Sequence, residues 1–95
     1  SRLSFVARLS RIRSIMSTYR GKVDISDAER EYQLLLDEQK AQEKMYISSM
    51  EYYRKMVAKG IDKPTQIDIL KRIITKYEPF GIDLREVKDE LKKLE

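Results

Sequence analysis

Residues 26–59 read SDAEREYQLLLDEQKAQEKMYISSMEYYRKMVAK, a stretch with neither proline nor glycine. Apolar residues recur through it at helical spacing, so the pattern predicts one unbroken helix from Asp27 to about Lys59. At about 1.5 Å per residue this is a rod of roughly 50 Å, which is long for so short a chain. Ser26 and Glu29 have the spacing of a capping box at its start. At its end, Gly60 followed by Ile61 fits a Schellman turn.

The rod carries two apolar stripes instead of one. Ala28, Tyr32, Leu35, Tyr46, Met50, Tyr53 and Val57 form the first, and Leu34, Ala41, Met45, Tyr52 and Met56 the second. A helix with two stripes has two neighbours to satisfy. A C-terminal helical hairpin is expected on one stripe, and either the first helix or a second copy of the chain on the other, the protomer interface being expected at Leu34, Met45, Tyr52 and Met56. Between Asp37 and Lys44 the only apolar residue is Ala41, so that segment is expected to stand in solvent or to bridge through polar contacts.

Outward from the rod, glycine and proline mark the remaining boundaries. Upstream, Phe5, Leu9, Ile12, Met16 and Tyr19 are spaced 4, 3, 4 and 3, predicting an amphipathic helix from about Leu3 that Gly21 closes. Downstream, Pro64 opens a helix to Tyr77 with Ile67, Leu70, Ile73, Ile74 and Tyr77 on one face. Pro79 and Gly81 then force a turn, and Asp83 with Glu86 is expected to cap a last helix bearing Leu84, Val87, Leu91 and Leu94. The expected fold is all-α, one domain over residues 1–95: a basic N-terminal helix (1–22), the long helix (26–60) and a helical hairpin (62–95).

Cysteine and histidine are absent. Disulfides, thiolate nucleophiles, the common zinc sites and the usual near-neutral general base therefore go with them, and the Glu-x-x-His signature of di-iron bundles cannot be written. No glycine-rich phosphate loop, nucleophile elbow or calcium loop is present. Carboxylate pairs such as Asp89 and Glu90 sit beside lysines and arginines, as solvated faces do. A non-enzymatic protein without cofactor or metal is expected. No apolar run approaches the roughly 20 residues of a membrane span. The lack of asparagine together with the high charge matches a thermophilic trend.

Charge is segregated along the chain. Residues 1–22 hold six cations and no carboxylate, a net of +6, whereas residues 23–95 hold fourteen cations against sixteen carboxylates. The cations are Arg2, Arg8, Arg11, Arg13, Arg20 and Lys22; Ser10, Ser14 and Ser17 fall on the small-residue back of the same helix. Forked guanidinium groups and hydroxyls are phosphate-binding chemistry. The segment also matches the acid-poor, Arg- and Ser-rich pattern of transit peptides, and a basic amphipathic helix can rest on an anionic membrane surface.

Two other nucleic-acid readings are weaker. Base stacking by Tyr46, Tyr52 and Tyr53 competes with the usual packing role of Tyr and Met at helical spacing. A helix-turn-helix in the last two helices would need a shorter turn than Glu78–Asp83 and a more basic recognition helix. The expected function is thus a structural protein, architectural or coat type, in a homo-oligomer on nucleic-acid backbone, DNA before RNA, inside a cell or a nucleoprotein particle such as a virion. The alternative is an interaction module whose basic helix docks on another protein.

Overall fold

The computed structural model describes residues 4–95. Its helices are α1 (Phe5–Tyr19), α2 (Ser26–Ala58), α3 (Lys63–Tyr77) and α4 (Arg85–Leu94), with a 3-10 turn at Glu78–Phe80; there is no strand among the described residues. The molecule measures 59 × 22 × 21 Å with a radius of gyration of 17.7 Å. A compact domain of this length would have about 12 Å, so the rod dictates the shape.

The first stripe of α2 serves two neighbours in succession. Ala28, Tyr32 and Leu35 pack with Phe5, Leu9, Ile12 and Met16 of α1. Tyr46, Met50 and Tyr53 pack with Leu70, Ile73 and Tyr77 of α3 and with Leu84 and Val87 at α4. Val57, expected in the same stripe, is exposed, and so is Tyr19 of α1. The molecule therefore has two small cores strung along one helix. Tyr77, only 1% exposed, shows how closely the larger one is packed. Its ring meets Tyr46 edge-on at 5.7 Å, and its hydroxyl shares a hydrogen bond of 3.1 Å with Ser49.

The polar waist of α2 is not simply bathed in water. The Gln39 amide donates to the Phe80 carbonyl at 2.8 Å, and Phe80 packs against Phe5 at 5.3 Å between centroids. The 3-10 turn thus bears on both α2 and the start of α1. Gly81 completes this junction with φ +69°, and a Cβ there would lie 3.2 Å from Val6 Cγ2.

Helix ends divide into those that follow the expected chemistry and those that do not. Gly60, at φ +92°, makes the Schellman pair: Ile61 N–H donates to the Met56 carbonyl at 3.3 Å and Gly60 N–H to Val57 at 2.9 Å. The Ser26–Glu29 box does not form. Asp24 accepts hydrogen bonds from both the amide and the hydroxyl of Ser26, so Ser26 has turned away from the helix it was expected to cap. The Asp83–Glu86 box fails in the same way. Asp83 accepts from the Arg85 amide at 3.1 Å and from its guanidinium at 2.7 Å, while Glu86 pairs with Arg54 of α2. The caps that do form are Ser4, accepting from Ala7 N–H at 3.1 Å, and Asp62, accepting from Thr65 N–H at 3.0 Å.

Two tyrosine hydroxyls in the larger core make opposite demands. That of Tyr77 is bonded to Ser49, whereas that of Tyr46 faces the Val87 backbone without a hydrogen-bond partner, and burial raises its pKa. A net hydrogen bond contributes about 1 kcal/mol, but an unpartnered buried hydroxyl contributes nothing to offset its desolvation. Tyr77→Phe is therefore expected to lower unfolding free energy by about 1 kcal/mol in urea titrations, and Tyr46→Phe to leave it unchanged or raise it.

Candidate nucleic-acid interface

α1 is held by Leu9, Ile12 and Met16, which are buried against Leu35 of α2. Fixing that face orients every other side chain of the helix, because neighbouring residues are rotated by about 100°. Arg13 and Arg20 fall on one flank, sharing a shallow cleft with Met16, Ser17 and Tyr32. Arg8 and Arg11 fall on the other, beside Ile12, Ile15 and Glu31. Ser10, Ser14 and Ser17 are exposed between the two flanks. Lys22 is exposed in the turn beyond the helix, and Arg2 lies outside the described residues.

The structure thus separates the cations into two rims with a low ridge between them. The rims are divided by the width of a helix, about 10 Å. On the first, Arg13 is pinned: its Nε donates to the Tyr32 hydroxyl at 3.2 Å and its guanidinium lies 5.9 Å from the Tyr32 ring centre. Sequence spacing placed Tyr32 in the core stripe and missed this positioning role, which depends on how α1 sits across α2.

Seven ion pairs occur among the described residues, and none includes Arg8, Arg11, Arg13, Arg20 or Lys22. All seven lie from Asp27 onward. Asp24, the first carboxylate of the chain, is occupied by Ser26, whose hydroxyl and amide hold its carboxyl below the usual carboxylate range. Glu31 is the acidic residue that flanks the basic helix, next to Arg8 and Arg11.

The residues expected at a protomer interface lie elsewhere on α2. Leu34 is 64% exposed, Tyr52 56% and Met45 46%, while Met56 is half-buried. Tyr52 also borders a cleft of about 480 Å³ between α2 and α3. The polar groups of that cleft are largely matched already: Asp68 pairs with Arg72 at 2.9 Å and Tyr77 with Ser49. No helix among the described residues is long and apolar enough to cross a membrane.

Presentation of the basic helix depends chiefly on the smaller core, with the Phe5–Phe80 contact securing its first turn. Leu35→Ala removes its most buried α2 side chain, at a cost of about 3 kcal/mol for a large-to-small core change. Amide hydrogen exchange is expected to accelerate throughout α1 while α3 and α4 keep their protection; uniform acceleration would show that the two cores unfold together. Comparison with known proteins adds no relative: no family model, curated protein or solved structure matches this chain.

Proposed function

We propose that this chain is a non-enzymatic structural protein that lays α1 on the phosphate backbone of nucleic acid and associates with further copies through α2. The observation that carries the reading is the set of exposed α1 cations taking part in no ion pair of the described residues. Elsewhere in the chain arginines are readily matched, as Arg54 with Glu86 and Arg85 with Asp83 illustrate. Cations left to solvent release counterions when they meet a polyanion, which favours binding entropically.

The two rims favour a duplex. B-DNA's major groove is about 12 Å wide and admits a helix, with phosphates along both edges. Arg8 and Arg11 would meet one edge and Arg13 and Arg20 the other, with the serine ridge between. A-form RNA has a deep, narrow major groove that does not admit such an element, so DNA is the better fit. An architectural or coat role follows from contacts of this kind, which position the protein without reading bases.

Burial of the α1 apolar stripe also bears on the alternatives. Leu9, Ile12 and Met16 are already spent on α2, so inserting that face into a membrane or a partner's groove would first require breaking the smaller core. The outward polar surface suits a polyanion without rearrangement.

With about six phosphate contacts, log affinity for duplex DNA is expected to fall with log salt at a slope near −5, a loss of roughly a thousandfold from 50 to 200 mM. Arg8→Gln with Arg11→Gln should make the slope shallower by about 2, while Lys92→Gln with Lys93→Gln on α4 leaves it unchanged. Fluorescence anisotropy with unrelated duplex sequences measures both. Binding that ignores salt or strongly prefers one sequence would refute the proposal.

A further inference from the structure

We infer that two copies of the chain pair through α2 as an antiparallel, two-fold coiled coil, in the register that sets Leu34 of one copy against Tyr52 of the other. This rests on the self-association proposed above and adds its partner surface, direction and register.

The starting point is a spacing that the monomer does not use. Asp27, Leu34, Ala41, Ser48 and Lys55 are spaced by seven, and so are Glu31, Glu38, Met45, Tyr52 and Lys59, four positions on. Together they form a seam at heptad spacing, apolar at Leu34, Ala41, Met45 and Tyr52 in its middle and charged at both ends. All ten are exposed. Tyr46, Met50 and Tyr53, by contrast, belong to the larger core and lie on a different face of the helix.

The composition of the seam selects the direction. Its N-terminal end is acidic, with Asp27 and Glu31; its C-terminal end is basic, with Lys55 and Lys59. Two parallel copies would set like charges opposite one another at both ends. Two antiparallel copies set Asp27 against Lys59 and Glu31 against Lys55, and two-fold symmetry repeats each pair at the other end. Apart from the Asp27 link to Arg30 at 3.4 Å, none of these four side chains takes part in an ion pair of the monomer.

The middle of the seam fits the same register. Leu34 falls opposite Tyr52, Glu38 opposite Ser48, and Ala41 opposite Met45. The central layer thus pairs a small residue with a large flexible one, which lets the backbones approach while filling the space between them. Every seam position finds its partner in a single alignment. The occupant this surface fits is therefore another copy of itself, and pairing would cover the exposed Leu34, Met45 and Tyr52.

Introduced cysteines test the register directly, because the chain has none of its own. The full chain is prepared as Leu34→Cys, as Tyr52→Cys and as the double variant, and each is oxidised at a concentration where sedimentation equilibrium shows dimer. Positions 34 and 52 lie about 27 Å apart along one helix, far beyond the roughly 7 Å Cα limit of a disulfide, so any bond joins two chains. The double variant is expected to give a covalent dimer and the single variants little or none. Efficient cross-linking of Leu34→Cys to itself would overturn the antiparallel register while leaving self-association intact. A mass of 11.3 kDa for the unmodified chain at all concentrations would overturn both. As an independent check, Lys55→Glu with Lys59→Glu should weaken the dimer by about tenfold or more, and adding Asp27→Lys with Glu31→Lys should restore it.

Discussion

The continuity of α2 is the constraint from which the rest follows. Thirty-three residues of unbroken helix are too long to be wrapped by any other element of this chain, so the core cannot be a single ball of side chains. It divides instead: α1 covers the first half of the rod, and α3 with α4 covers the second. Little joins the halves besides α2 itself. The Gln39–Phe80 hydrogen bond and the Phe5–Phe80 contact form the junction, and they place the start of α1 beside the turn between α3 and α4.

That division determines where charge can go. Helices α3 and α4 carry both signs: Arg54–Glu86 ties α4 to α2, while Lys71–Glu95 and Lys88–Glu78 join α3 and its following turn to the last helix and its end. Helix α1 has cations only and is attached through apolar contacts, with Arg13 alone anchored, on a phenol. Its guanidinium groups are therefore spared from holding the fold together. They are positioned by a packed face on the far side of the helix, so their orientation comes from burial, and they stay available because none is held in an ion pair of the described residues, Glu31 beside Arg8 and Arg11 included.

Much of this was legible from local pattern. Helical period and glycine stops depend on the identity of residues a turn apart, and they located all four helices, the Gly60 turn and the two flanks of α1. Caps were harder, because several nearby groups compete for the same amides. Asp24 drew Ser26 away and Arg85 drew Asp83, while Asp62, one residue before Lys63 and Pro64, held a cap that its type and place in the sequence could have announced. The Gln39 and Tyr32 contacts were not legible at all. Their partners lie 41 and 19 residues away, and no short-range pattern encodes where two helices cross. For the site, helical geometry sorted the arginines, but only the packing of α1 on α2 shows that the sorted sides become two rims facing outward.

The position of α1 along the rod has a geometric result once two rods are placed antiparallel. Its packing partners centre near residue 31 of α2, and the proposed register carries that level to residue 55 of the other copy, roughly 35 Å away at ~1.5 Å per residue. A two-fold axis between antiparallel helices leaves both basic elements on the same side of the pair. Measured along the rods, this offset is close to the ~34–36 Å repeat of a B-form duplex, and the side-by-side packing of the rods adds a lateral displacement to it.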